Sequence, residues 1–278
     1  MAHALRTLPI PVEPDPRPFV KWVGGKRQLI PEILKVLPER FGTYHEPFVG
    51  GGALFFHLRP FHAVLSDSNA RLVRTYLGVR NRADAVIRHL GELPHDRDFF
   101  LDYRRREIDA EPDAAVAAWF IYLNRTAFNG LYRVNRRNVF NVPFGAYTKP
   151  RICDADNLHA CQWALRGAQL CHEDFTAVLG RARPGDLVYF DPPYVPLSPT
   201  SSFTSYTAGG FGLAEQVRLR DVARALKRRG VHVVLSNSSA PLVWELYADG
   251  FELTPVAAAR NVNCRGDRRG PVMELLIH

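Results

Sequence analysis

The chain has 278 residues and a formal net charge of +8, enough length for a sizeable core and a charge that favours a polyanionic partner. Its four cysteines, Cys153, Cys161, Cys171 and Cys264, form no C-x-x-C pair, which argues against a disulfide framework or a structural zinc site and suits a reducing cytoplasm. The longest apolar stretch, Ala114 to Leu123, is far short of the roughly 20 residues a membrane span needs and reads as a buried helix.

In chain order, the proline-rich Leu8 to Pro18 lacks the apolar core of a signal peptide and predicts a flexible tail over residues 1–18. FVKWVGGKRQLI (Phe19 to Ile30) sets a Gly-Gly turn among Lys21, Trp22 and Lys26, ahead of a helix. The tryptophan is either core or a ligand-facing ring, and a lysine there can aim at a carboxylate or phosphate. TYHEPFV reads as a strand and GGGALFFHL as the helix after it, so three glycines stand at a strand-to-helix turn. That is either a tight packed turn or a loop whose bare backbone approaches a ligand. It is neither a Walker loop nor G-x-G-x-x-G.

HAVLSDSN predicts a second strand ending at Asp67, fifteen residues past the last of the glycines. An acid there either caps the next helix or accepts hydrogen bonds from ribose hydroxyls. Residues 79–168 break the strand and helix alternation and exceed an ordinary crossover, which predicts an inserted helical domain. Within it, Ala114 to Cys153 contains no Asp or Glu but carries Arg125, Arg133, Arg136, Arg137, Lys149 and Arg151, the charge pattern of a polyanion reader. AQLCHEDF is a third strand and DLVYF (Asp186 to Phe190) a fourth. Pro192 and Pro193 must end the latter, which holds Asp191 at a stiff turn on the sheet's C-terminal edge, where ligands bind in open α/β sheets. An amphipathic helix around LAEQVRLRDVARALKRRG, the strand VHVVLSNSS, and two strands joined by NVNCRGDRRG complete an α/β sheet with a β-rich end.

FVKWVGGK, EPFVGGG, LSDSN and FDPPY, in that order, resemble the Dam-type, α-class N6-adenine DNA methyltransferases, and the likeness covers nearly the whole chain apart from the tail. It implies a Rossmann-like S-adenosylmethionine-dependent methyltransferase sheet, with catalytic parts at 19–78 and 169–278 and a mainly helical target-recognition insertion with a basic hairpin at 79–168. It implies that Asp191 and the Pro192 carbonyl accept the amino hydrogens of a flipped adenine, with Pro193 stiffening the turn and Tyr194 stacking on the base. For the cofactor it implies Trp22, Lys26, the loop bearing Glu46, Phe48, Gly50 and Gly52, Asp67, Asp174, Phe175 and Asp191. For DNA it implies Phe128 as an aromatic wedge, Asn129, Leu131, Arg133 and Pro143 near bases, Lys21 on a guanine, and Arg125, Arg136 and Arg137 chiefly on phosphates. Many relatives carry Tyr at the wedge, so Phe128 keeps a stacking face and loses a hydroxyl.

The implied protein is a DNA-associated cytoplasmic monomer that acts on double-stranded DNA at GATC and needs no metal or membrane. Transfer to cytosine N4 or to RNA adenine, and a catalytically silent DNA binder, are the rival readings. Cytosine C5 chemistry would need a Pro-Cys dipeptide, which the chain lacks.

Overall fold

The structure is a computed structural model, and it describes residues 15–24, 26–197, 211–259 and 271–278. Most of the predicted tail, the sequence SPTSSFTSYTAGG beyond the Asp-Pro-Pro-Tyr turn, and the NVNCRGDRRG loop lie outside the described residues.

A 3₁₀ turn (Lys26–Gln28) precedes α1 (Ile30–Val36), whose early proline sits where a helix has no use for the missing N–H. β1 (Tyr44–Glu46) runs into the glycine loop, and α2 (Ala53–Leu58) starts at Gly52. β2 (Ala63–Asp67) is followed by α3 (Ala70–Gly91), kinked at Arg82 and capped by Asn69, whose side chain accepts from the Leu72 N–H. Next come α4 (Arg97–Tyr103), α5 (Asp113–Thr126) and α6 (Ala155–Ala164). Asp96 and Asp154 cap α4 and α6. The remaining elements are β3 (Ala168–His172), α7 (Val178–Arg181), β4 (Leu187–Phe190), α8 (Leu213–Arg228), β5 (His232–Ser238), α9 (Pro241–Tyr247), β6 (Leu253–Ala259) and β7 (Pro271–Ile277).

The seven strands form one sheet in the order β3-β2-β1-β4-β5-β7-β6, parallel except for β7, which lies antiparallel between β5 and β6. The chain is thus a mixed, mostly parallel α/β protein with a doubly wound, Rossmann-like sheet. Strand order reverses between β1 and β4, so the crevice beyond their carboxyl ends is the switch point where such sheets bind ligands. β4 is buried on both faces, which is why its sequence is continuously apolar. Its pleat sends Leu187 and Tyr189 into one core and Val188 and Phe190 into the other.

The first core runs without a break from Tyr44 and Leu65 in the sheet, through Tyr76 of α3, to Trp119 and Phe120 of α5 and on to Phe140. The expected boundary at 78/79 accordingly falls inside α3, because that helix packs against the sheet and α5 alike. Between α5 and α6, antiparallel bridges Ala127↔Phe144 and Val134↔Phe140 make an irregular hairpin. The end of the expected tail is not loose. Asn157 of α6 accepts from the Arg17 backbone N–H and donates to the Arg17 carbonyl, both at 2.9 Å.

Candidate active site

Asp191 follows β4 directly, and two donors converge on one of its oxygens: Lys26 Nζ at 3.0 Å and Ser236 Oγ at 3.0 Å, both to Oδ1. Ser236 is itself 3.0 Å from the Tyr189 hydroxyl. Burial pushes the Asp191 carboxyl upward from the ordinary aspartate value, and Lys26 and Ser236 oppose that rise. The turn beyond it is strapped down. Gln216 Nε2 donates to the Pro193 carbonyl at 2.9 Å, the Val195 N–H donates to Asn237 Oδ1 at 3.1 Å, and Asn237 Nδ2 donates to Gln216 Oε1 at 3.1 Å. Tyr194 donates its hydroxyl to Glu274 Oε2 at 2.6 Å. Backbone restriction at Pro192 and Pro193 and these side-chain ties fix the turn twice over.

The glycine loop faces this turn across the switch point. Gly50 has φ +47°, and a Cβ there would meet the Trp22 ring at 2.6 Å, so the indole lies directly on bare backbone. Trp22 is also stacked with Phe120 and Tyr132 at 6.4 and 6.3 Å between centroids, so it anchors the loop to the core beside the crevice. Gly52 starts α2 in the left-handed region. Asp67 does not cap α3; Asn69 does. The Asp67 carboxylate instead accepts from the Gly50 N–H at 3.2 Å and the Asn69 N–H at 2.9 Å, tying the glycine loop to the end of β2. Burial raises its pKa to about 6. Glu46, at the end of β1, is pushed up to about 8 by burial, partly offset by the Tyr44 hydroxyl it accepts at 2.8 Å.

Phe48 of the loop stacks on Phe175 at 5.3 Å and meets Phe211 edge-on at 5.7 Å, forming an aromatic wall on the β4 side. Asp174 caps the 3₁₀ turn that carries Phe175 and accepts from Arg218 at 3.2 Å.

The basic positions form a second group. Asn124, fully buried on α5, accepts from the Lys21 N–H at 2.7 Å and donates to the Lys21 carbonyl at 2.8 Å and the Gly130 carbonyl at 2.7 Å. It thereby clamps Lys21 to the Phe128–Gly130 turn. Asn129 and Gly130 both take positive φ in that turn, and a Cβ on Gly130 would strike Lys21 Cδ at 2.4 Å. Phe128 is 48% exposed, a large apolar ring held toward solvent. Arg133 and Pro143 are exposed on the two hairpin arms and Leu131 is half-buried. Arg133 Nε donates to Asn141 Oδ1 at 2.8 Å across the hairpin. Arg136 and Arg137 are exposed at its tip. Arg125 differs: it is turned inward and donates to the Phe19 carbonyl at 2.8 Å, so part of its guanidinium serves the fold.

Sequence reasoning missed Asn124, Gln216, Ser236, Asn237 and Glu274. Only SNS, the polar triplet that ends β5, signalled any of them. Among the described residues no cluster of three or more His, Cys, Asp or Glu side chains suits a metal ion, and no helix is long and apolar enough to cross a membrane.

Comparison with known proteins places this arrangement. The chain is 42% identical over 269 residues to Type II methyltransferase M1.LlaDCHI of Lactococcus lactis subsp. cremoris, with 94% of each chain covered. It is 39% identical to Type II methyltransferase M.MjaIII of Methanocaldococcus jannaschii over 94% of this chain and 98% of that one. The DNA adenine methylase of Escherichia coli (strain K12) is 35% identical over 94% of both chains. The family model described as D12 class N6 adenine-specific DNA methyltransferase matches residues 22–262, which hold the glycine loop, the Asp-Pro-Pro-Tyr turn and the basic hairpin together, and the chain belongs to that family of DNA-methylating enzymes.

Proposed function

We propose that the chain transfers a methyl group from S-adenosylmethionine to N6 of an adenine flipped out of duplex DNA, within GATC, acting as a monomer, with residues 79–168 reading the target. The observation that carries this reading is the Asp191 carboxylate, held through Oδ1 among the described residues at a doubly fixed turn beside Tyr194. The other oxygen and the Pro192 carbonyl are acceptors suited to the two amino hydrogens of adenine. Accepting both draws the nitrogen lone pair out of the ring's conjugation, and acceptors already in place need no reorganisation. Tyr194 supplies a ring for the base to stack on.

The residues fit the donor. On a chain of charge +8, the carboxyl edge of the sheet carries Glu46, Asp67 and Asp191, with Glu274 of β7 beside them and the Lys26 ammonium on Asp191 and 3.9 Å from Glu274, an acidic cradle for a cationic ligand. Gly50 admits the Trp22 ring against the loop, and the Asp67 carboxylate can accept from ribose hydroxyls. When bound, S-adenosylmethionine supplies an electrophilic methyl on a sulfonium. Phe48 and Phe175 offer an aromatic wall for its adenine, next to Asp174. Trp22 acts by holding the loop.

A pH dependence follows. Glu46 and Asp67 have raised values of about 8 and about 6, and a cationic, hydroxyl-bearing ligand favours their ionised forms. Both values fall on binding, so protons are released and affinity for S-adenosylmethionine rises from pH 6 to 8, by at most about tenfold per pH unit per proton, then levels off. Calorimetry in buffers of different ionisation enthalpy checks this, and pH-independent affinity without proton release contradicts it.

For DNA, the support is the exposed basic hairpin with the Phe128 wedge and Lys21 clamped beside it. NRTAFNGLYR followed by NVPFG resembles the recognition hairpin of GATC-specific members, with Lys21, Leu131, Arg133 and Pro143 at matching positions. Arg133→Ala should cost about 1–3 kcal/mol of discrimination at one guanine and leave bulk DNA affinity largely intact. Arg136→Ala or Arg137→Ala should weaken binding to every sequence and reduce the salt slope by about 0.9 each. Mapping methylated adenines genome-wide after expression in a methylation-deficient host tests the target, and modification at a motif other than GATC refutes it.

A further inference from the structure

Glu274 stands on β7, opposite Ser238 of β5 and Val256 of β6, 80 residues from the tyrosine it binds. Its Oε2 takes the Tyr194 hydroxyl at 2.6 Å and lies 3.9 Å from Lys26 Nζ. Lys26 is 5% exposed and spends its protons inside the site: on Asp191 Oδ1 at 3.0 Å, on the Gly24 carbonyl at 2.7 Å and toward Glu274. Its ammonium also stands 4.3 Å from the centroid of the Tyr194 ring, covering one face. The four side chains close a circuit. Asp191 contacts Lys26, Lys26 approaches Glu274, Glu274 holds Tyr194, and the Pro-Pro turn returns to Asp191.

We propose that Glu274 and Lys26 are a positioning pair for methyl transfer: Lys26 holds Asp191 as an accepting carboxylate and covers the inner face of Tyr194, while Glu274 fixes that ring by its hydroxyl. The base is left the ring's outer face, at a set height relative to the Asp191 acceptor. Neither residue touches the reacting nitrogen. The inference rests on the reading of Asp191 and Tyr194 given above.

The circuit has an electrostatic signature that simple packing lacks. Asp191 is faced by Lys26 from the 3₁₀ turn, Glu274 from β7, Glu46 and Tyr44 from β1, and Tyr189 and Tyr194 from its own segment. Burial raises its carboxyl; Lys26 lowers it, and Glu274 raises it further. Lys26→Met should therefore move the acid limb of the single-turnover rate to higher pH, and Glu274→Gln, which keeps an acceptor for Tyr194 but drops the charge, should move it to lower pH. Lys26→Arg should bring the limb back toward its wild-type position.

Glu274→Ala and Tyr194→Phe cut the same bond, so each should slow transfer by about tenfold and the double variant by no more than either alone. Both should equally increase the fluorescence of 2-aminopurine placed at the target adenine, which reads the base's stacking independently of transfer. If Glu274→Ala does not fold, as judged by thermal melting, the Lys26→Met and Glu274→Gln profiles decide. Limbs that stay fixed or move together, or multiplicative losses in the double variant, overturn the positioning pair while an inactive Asp191→Ala keeps the underlying mechanism. An active Asp191→Ala overturns that mechanism instead.

Discussion

Asp191→Ala is expected to lower methyl transfer by about 10³-fold or more, the scale for removing a pre-set polar group that acts on a reacting centre, while DNA is still bound. The separation follows from position. Asp191 sits on the switch-point crevice with Oδ1 occupied by Lys26 and Ser236, whereas the exposed basic side chains lie on the hairpin between α5 and α6. Asp191→Asn should also fall well below wild type, for a different reason. An amide has one acceptor oxygen, Lys26 and Ser236 together keep it facing them, and the NH₂ is then turned toward an amino group that also donates. Gel shift measures DNA binding and tritiated-methyl transfer measures chemistry. Near wild-type turnover in Asp191→Ala would refute the assigned role.

Asn124→Ala should produce the largest loss of stability among single polar substitutions in residues 79–168. Three backbone groups lose their partner at once, the Lys21 N–H and the carbonyls of Lys21 and Gly130, in a place where Asn124 itself is fully buried. At roughly 1–3 kcal/mol for each buried group left unpaired, the cost is on the order of 3 kcal/mol or more. Asn124→Asp should be no rescue, because it replaces two donors with a buried charge facing two carbonyls. The same clamp sets Lys21 beside the Phe128 turn, so at a temperature where the variant stays folded, S-adenosylmethionine affinity should persist while discrimination among DNA targets falls. Urea unfolding with a constant m-value, together with competition between cognate and near-cognate duplexes, measures both effects. Unchanged stability would mean that the three groups find other partners.

The parts of this molecule legible in its sequence are those with a local chemical grammar. The short apolar run from Leu187 to Phe190 announced a strand, and two prolines announced its end. The glycine turn and Asp67 were separated by one helix, a distance over which pattern still reads. Even so, Asp67 had two readings, and the helix cap went to Asn69, one residue before α3. Arg125 belonged to a run of positive charge, but charge in a sequence has no direction, and this guanidinium points back to Phe19. The residues missed are joined over long separations, 103 residues from Lys21 to Asn124 and 80 from Tyr194 to Glu274. No local periodicity encodes such pairs, because they depend on which strand lies next to which.

The place of β7 also governs how the molecule can be assembled. Because it is filed between two strands made before it, a growing chain that has extruded β6 still has a gap in its sheet, with β5 ending in an open edge and β6 joined to nothing. Open edges invite pairing with other chains. The strand that fills this gap also carries Glu274. Closing the sheet and delivering the last side chain to the Asp-Pro-Pro-Tyr turn are one event, so a nascent chain reaches a complete site only when its most exposed edge has been sealed.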